Sequence, residues 1–421
     1  MTHRVSLSEN TSGGGVDDVT EVVAPDDVIA QQPDWPDAEA LGRVREELAG
    51  LPGLVRAAET QQLRSLLAEV AMGRIQVIQA GDCAEDPDHC TPAHVERKAA
   101  LLDVLAAVMK LGGNRPVLRV GRIAGQFAKP RSRPTEWHDG VELPVFRGHM
   151  VNSPEPDPQL RQPDPSRILL GYRAAGVAMD TLGRRNAVHR LAMEAPVWTS
   201  HEALLLDYEL PMLRRTEEGD LLLSSTHWPW IGERTRQDGS AHVSLLSRVV
   251  NPVACKIGPK TTVPELLRLC ERLDTQREPG RLTLIARMSA GLVSDRLPPL
   301  VAAVAEHGYP VIWLCDPLHG NTEVGATGTK IRFVRTAVDE AQRFQAAVRL
   351  GGGTAGGLHL EATPEQVREC VFDESEIGGV CGEPMCDPRL NTEQAVAVAE
   401  AWRSGETWHP TISFRSRYGN A

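Results

Sequence analysis

Short apolar runs recur along the chain, with helical patterning between many of them. The runs lie at Ile75–Gln79, Val117–Val120, Leu204–Asp207, Leu221–Ser225, Pro252–Lys256, Leu282–Arg287, Val311–Cys315 and Gly357–Glu361. Most are short and nearly continuous in apolar character, which suits strands buried on both faces. Helical stretches at Val263–Leu273, Pro298–His307 and Lys330–Val348 separate them. Eight strands alternating with helices predict a closed parallel (β/α)8 barrel, the TIM-barrel α/β class. The interval from Gly121 to Ala203 reads as irregular loop plus one helix, Ser166 to Met193.

Ahead of the first strand, helical patterning begins near Ala38 and continues through Leu63, Leu66, Leu67 and Val70. The expected organisation is therefore a disordered tail over 1–30, an N-terminal helical extension over 31–74, and a catalytic barrel over 75–421. The tail is polar and glycine-bearing and lacks the apolar segment of a secretory signal. No run approaches membrane-spanning length. A cytoplasmic location is the default reading.

Charge narrows the function classes. The 421 residues carry 56 acidic and 45 basic side chains, a net charge of -11. A nucleic-acid binder usually shows a basic excess, and this chain does not. An acidic protein that binds anions must gather its cations locally. Eight cysteines (Cys83, Cys90, Cys255, Cys270, Cys315, Cys370, Cys381 and Cys386) are scattered without disulfide-framework or zinc-ribbon spacing. They read mostly as reduced, small apolar residues.

A barrel of this kind carries its chemistry at the C-terminal strand ends. Two groups collect there. Cys83, His319, Glu361 and Asp387 offer sulfur, nitrogen and oxygen donors from separate strand ends. Such a mixed set suits a divalent metal acting as Lewis acid (Mn, Co, Zn or Fe, with Mn or Co favoured). A plainer reading makes His319 a loop cap, Cys83 a core thiol, and the carboxylates partners of arginines. The second group is Arg122, Lys129, Arg131, Arg234, Lys256 and Arg287. Cations at barrel strand ends suit bound phosphate or carboxylate. Pairing with neighbouring carboxylates is the alternative, least apt for Lys256 and Arg287, since an unpaired buried charge is costly. No P-loop or dinucleotide fingerprint is present.

At these residues the sequence resembles the type II 3-deoxy-D-arabino-heptulosonate 7-phosphate (DAHP) synthases. The matching stretches are Gly81–Glu85, Gly121–Ser132, His201–Glu209, His227–Thr235, Asn251–Pro259, Cys315–Thr322 and Cys386–Asn391. The resemblance implies a metal held by Cys83, His319, Glu361 and Asp387. It implies phosphoenolpyruvate held by Arg122, Glu233, Arg234, Lys256 and Arg287, with Lys256, Glu233, Arg287 and His319 as the catalytic set. Lys129, Arg131 and Ser132 fall on the erythrose 4-phosphate side. A homodimer without nucleic-acid or membrane partners is expected.

Three stretches depart from the family pattern. Arg147-Gly148-His149 stands where members commonly read Arg-Gly-Asp, and Arg287-Met288-Ser289-Ala290 where they read Arg-Met-Gly-Ala. After Thr322 the usual Ser/Pro-containing stretch becomes Glu323–Gly328. These departures keep a second reading open, an aminoDAHP synthase acting on an amino-sugar phosphate. A non-catalytic regulatory homologue is a third, disfavoured because all four ligand positions keep a competent side chain. The segment from Gly171 to Ser200 is short beside regulated members, which implies weak feedback inhibition and a role in secondary metabolism. Cys83 and Cys386 are expected to lie close enough for a disulfide.

Overall fold

The computed structural model describes residues 22–191, 196–325, 330–379 and 385–403. In chain order the elements are α1 (Ala38–Gly50), α2 (Ala57–Ala71), β1 (Gln76–Gly81), α3 (Pro92–Gly113), β2 (Val117–Arg122), β3 (Thr135–His138), β4 (Val141–Pro144) and α4 (Ser166–Leu191). Next come β5 (Val197–Glu202), α5 (Leu206–Glu209), β6 (Leu213–Arg215), β7 (Leu221–Leu223), β8 (Trp228–Ile231), α6 (Ala241–Arg248), β9 (Val253–Ile257) and α7 (Val263–Leu273). The last are β10 (Leu282–Ala286), α8 (Val293–Glu306), β11 (Ile312–Cys315), β12 (Thr322–Val324), β13 (Lys330–Arg332), α9 (Val334–Leu350), β14 (Thr354–Glu361) and α10 (Thr392–Glu400).

Eight of these strands close into one parallel barrel in the order β1-β14-β11-β10-β9-β8-β5-β2, so the predicted (β/α)8 architecture is the observed one. Six predicted strands fall on barrel strands and two do not. Leu204–Asp207 leads into the short helix α5, and the third barrel strand is β5 just before it. Its inward face carries Ser200 and Glu202, which hid it from a search for apolar runs. Leu221–Ser225 holds β7, which pairs antiparallel with β6 outside the barrel. The barrel strand there is β8, whose Pro229 removes a ladder donor and makes the stretch read as loop. The Gly121–Ala203 interval also holds the hairpin β3–β4, paired from Thr135 with Pro144 to His138 with Val141. The helix expected from Lys330 starts at Val334, because Lys330–Arg332 pairs with Thr322–Val324.

Period-two alternation divides the buried residues into two cores. One lies between the sheet and its helices. The other fills the barrel with Val77, Leu118, Val120, Trp198, Trp228, Trp230, Ala254, Ile285, Ile312 and Leu314. Leu63, Leu67 and Val70 of α2 join this inner core. They approach from the N-terminal strand ends, where Val70 lies near Gly356 and Gly73 near Thr354. The helical extension thus floors the barrel. Of the expected tail, residues 1–21 lie outside the described residues, while Val22 and Val23 are buried and Val28 bridges to Ser240. No described helix is long and apolar enough to cross a membrane.

Two fold predictions follow from the barrel floor and its neighbours. Leu67→Ala removes a fully buried side chain from the floor. It should cost about 2–5 kcal/mol in denaturant unfolding. His227, whose Nδ1 accepts from the Thr199 backbone N at 3.2 Å, is pushed by burial down to about 4, with Glu59 opposing. Its folded value is depressed, so the unfolded chain binds the extra proton between pH 6.5 and 4, and stability falls as pH falls through that window. The contribution is up to roughly 3 kcal/mol. The pH slope of unfolding free energy in His227→Gln should be shallower across that window than in wild type; an unchanged slope refutes the assignment.

Candidate functional site

Alternation along the barrel strands also builds the opposite, C-terminal end. Gln79, Arg122, Ser200, Lys256, Asp316, His359 and Glu361 are all buried there, above the inner core. Register brings them together: Gln79 pairs with His359 and Gly81 with Glu361 across β1–β14, and Gly81 with Arg122 across β1–β2.

Glu361 occupies the centre with no solvent exposure. Its Oε1 lies 3.0 Å from Arg122 Nη2, 3.2 Å from His319 Nε2 and 3.6 Å from Lys129 Nζ. Its Oε2 accepts from Arg332 Nη1 at 2.7 Å. Burial alone would raise this carboxyl, but His319, Lys129, Arg332 and Arg122 outweigh it and hold it well below the usual carboxylate range. Asp387, half-buried beside Lys129, is held low by Lys129, Arg332 and His319 against burial and the Glu361 charge. Lys129 itself is raised, because Cys83, Glu361 and Asp387 overcome its burial.

The donor set fits a divalent metal. Ligand atoms of Cys83, Glu361 and Asp387 lie within 4.8 Å of one another. His319 is not within that tight group, but its Nε2 faces Glu361. Its Nδ1 meets Asp316 Oδ2 at 2.7 Å. A carboxylate accepts there, so Nδ1 carries the proton and the Nε2 lone pair is left for an ion. One thiol, one imidazole and two carboxylates match the borderline preference of Mn, Co, Fe or Zn. The Cys83 and Cys386 thiols are free and buried, pack in one small apolar cluster, and Cys83 Sγ donates to Asp387 Oδ2 at 3.5 Å. Cys381 lies outside the described residues.

The expected anion ligands divide between two walls. Lys256 Nζ lies 2.9 Å from Asp316 and 3.4 Å from His319 Nδ1. Arg287 Nη2 donates to the His319 carbonyl at 2.9 Å. The buried Arg287 Nε and Glu233 Oε2 have no hydrogen-bond partner among the described residues, as if awaiting a ligand. On the other wall a cavity of about 630 Å³ is lined by Lys129, Arg131, Ser132, Arg234, Lys330 and Asp387, among others. Within this cavity Arg234 Nη2 donates to Ser132 Oγ at 2.7 Å. Arg131 is pulled aside to Glu136 at 2.9 Å. The β3–β4 hairpin screens this cavity with Thr135, Glu136, Trp137 and Glu142.

Loop backbones are fixed from below. Glu85 accepts from the backbone N of Ala124, Gly125 and Gln126, and Lys98 pairs with Glu85 and Asp82. Glu340 accepts from Met288 N and Ser289 N at 3.0 Å each. Ser289 stands at φ 76°, a conformation that glycine adopts without strain, and Glu340 holds it there. His149, the other departure, is buried edge-on to Phe146. Of the third departure, residues 326–328 lie outside the described residues.

Comparison with known proteins gives the geometry a family. The model of the Class-II DAHP synthetase family matches residues 23–192 and 177–402. The chain belongs to this family. It is 53% identical over 377 residues to a probable phospho-2-dehydro-3-deoxyheptonate aldolase of Pseudomonas fluorescens, covering 89% of this chain and 94% of that one. It is 40% identical over 428 residues to a phospho-2-dehydro-3-deoxyheptonate aldolase of Streptomyces coelicolor, covering 89% and 95%. A solved phospho-2-dehydro-3-deoxyheptonate aldolase from Francisella tularensis shares the fold, with TM-score 0.54 and 12% identity over 88% of this chain and 100% of that one.

Four participants escaped the sequence reading. Arg332 and Lys330 lay in a stretch read as helix, and nothing local marked them as site residues. Arg332 is fully buried on Glu361, and Lys330 Nζ lies 2.6 Å from Asp387. Asp316 and His359 stood at recognised strand ends; His359 lies two positions before Glu361, so the strand period already put both on one face. Glu361→Gln removes the central carboxylate. Metal content after dialysis, measured by mass spectrometry, should fall at least about 10-fold against wild type; equal retention refutes the site.

Proposed function

We propose that the chain is a metal-dependent DAHP synthase. It condenses phosphoenolpyruvate with erythrose 4-phosphate and water, giving DAHP and phosphate. The observation that carries the reading is the meeting of Cys83, Glu361 and Asp387 within 4.8 Å, with His319 beside Glu361 and cations on every side. Family membership and the relatives' names support it.

Cys83, His319, Glu361 and Asp387 would hold the ion. When bound, it supplies Lewis-acid polarisation of the aldehyde carbonyl. The chain's own groups do the rest. Arg122, Arg234, Lys256 and Arg287 hold the phosphate and carboxylate of phosphoenolpyruvate, and Lys129, Arg131 and Ser132 hold the sugar phosphate. Two like-charged substrates repel each other in water, and fixed cations offset that repulsion without reorganising. C3 of phosphoenolpyruvate then bonds to the aldehyde carbon, water adds its oxygen at C2, and phosphate leaves by C–O cleavage. Lys256 Nζ is the group assigned to protonate the former aldehyde oxygen, and Glu233 Oε2 the group assigned to take the proton from water. Lys330, salt-bridged to Asp387 at the cavity wall, is a further cation available to the sugar phosphate.

Glu136 and Glu142 line the same cavity beside the cations. They would accept from an N–H that an erythrose 4-phosphate analogue brings there, so the imino analogue, with C=NH in place of the aldehyde C=O, is the second substrate to test. We also propose weak feedback control, on the short segment between Gly171 and Ser200.

Phosphate release from phosphoenolpyruvate with added Mn should depend on erythrose 4-phosphate. No release in its presence refutes the reading, and faster turnover of the imino analogue replaces the aldehyde. Arg287→Ala should lower kcat/KM by about 100-fold or more. Activity should be nearly unchanged by Phe, Tyr or Trp; strong inhibition by any of them refutes weak control.

A further inference from the structure

Arg122 is the most buried of the cations assigned above to phosphoenolpyruvate, and its position is set from below by a continuous polar chain. Its Nη1 lies 2.9 Å from His359 Nε2. His359 Nδ1 lies 2.7 Å from Gln79 Oε1. Gln79 Nε2 donates to Ser200 Oγ at 3.0 Å, and Ser200 Oγ donates to the Gly121 carbonyl at 3.0 Å. The chain runs from β2 through β14, β1 and β5 and ends on the residue preceding Arg122. His359, Gln79 and Ser200 have no solvent exposure, and Arg122 has 1%. Trp230 closes the side: its ring meets His359 edge-on at 5.2 Å, and the Arg122 guanidinium lies 5.2 Å from its centroid.

Both ends of the chain have fixed polarity. A guanidinium only donates, and a backbone carbonyl only accepts. The serine hydroxyl must therefore give its proton to Gly121, the glutamine must give its amide protons to serine, and its oxygen must take one from His359. Only one neutral tautomer of His359 satisfies this: the proton sits on Nδ1 and Nε2 accepts from Arg122. Reversing any link leaves two donors or two acceptors facing each other in a dry site.

We infer that His359, fixed in its Nδ1–H tautomer by Gln79 and Ser200, is a positioning residue that aims the Arg122 guanidinium at the anionic substrate. Arg122 Nε donates to the Asp82 carbonyl at 3.1 Å and Nη2 to Glu361 and the Cys83 carbonyl, so His359 is the acceptor that fixes the remaining amino group, Nη1, and with it the tilt of the guanidinium plane. The substrate then meets a cation already oriented, and no side-chain freedom is lost on binding. The inference rests on the proposed binding of phosphoenolpyruvate by Arg122, but the tautomer can be read without any substrate.

Two measurements test it. In protein carrying nitrogen-15 histidine, long-range proton–nitrogen correlation, assigned by loss of the signal in His359→Gln, should show His359 protonated at Nδ1 and bare at Nε2. A proton on Nε2 overturns the inference whatever the enzyme catalyses. In the metal-loaded full chain, His359→Phe keeps a ring but offers no acceptor. KM for phosphoenolpyruvate should rise about 10- to 100-fold, while KM for erythrose 4-phosphate should stay within about 2-fold of wild type. His359→Gln keeps an acceptor and should recover most of the loss. If His359→Phe does not fold, Gln79→Met, one link further from Arg122, should shift the same KM in the same direction by a smaller factor. Unchanged KM for phosphoenolpyruvate in a folded variant, or an equal rise for both substrates, overturns the inference. Failure of wild type to release phosphate from phosphoenolpyruvate refutes the function instead, and with it the substrate named here, while the tautomer measurement still decides the chain.

Discussion

A single buried carboxylate organises this molecule's active end. Glu361 reaches the closed barrel's mouth with no solvent exposure, and a buried carboxylate is tolerated only when positive or hydrogen-bonding groups enclose it. Here three cations come from across the structure, Arg122 at the end of β2, Lys129 in the next loop and Arg332 at the end of the β12–β13 ribbon, and His319 after β11 brings its ring beside the same carboxylate. Each cation gains a fixed position from the same anion. The carboxylate thereby ties four separate segments into one geometry. Arg332 extends the tie by donating also to the Thr322 hydroxyl and the Pro388 carbonyl, which locks the loop carrying Asp387.

The two ends of the barrel follow opposite rules. Tryptophans and branched aliphatics fill the lower interior, and α2 seals it with Leu63, Leu67 and Val70. Above them the same inward positions turn polar. A dry, packed floor beneath an array of charges lowers the local dielectric, which strengthens every interaction the array makes. The loops that carry the charges are themselves pinned by buried acids, Glu85 under one and Glu340 under another. A serine at φ 76° survives in that setting because the acid beneath accepts its N–H.

How much of this was legible in the sequence follows from period and composition. Strands whose inward residues are mainly apolar, such as β10 and β11, announced themselves. β5 and β8 did not, because the inward Ser200 and Glu202 broke the apolar run of the first, and Pro229, between the inward Trp228 and Trp230, broke that of the second. That Cys83, Glu361 and Asp387 meet, and that several cations stand near them, was legible because these residues follow recognisable strands. Arg332 and Lys330 were not, since a three-residue ribbon has no periodicity to read. The burial of Val22 and Val23 was invisible for a similar reason: two valines in a polar stretch carry no period, and only the packed protein gives them a partner.

The closure of β1 on β14 has a bearing on how the protein is made. Cys83 follows the first barrel strand, whereas Glu361 ends the last and Asp387 lies beyond it. Synthesis runs from the N-terminal side, so the floor helix and the thiol emerge before the two carboxylates. Ring closure is a contact of very long sequence separation, the slow kind. A nascent chain short of residue 361 lacks the carboxylates of the candidate metal site, so that site exists only once the barrel has closed.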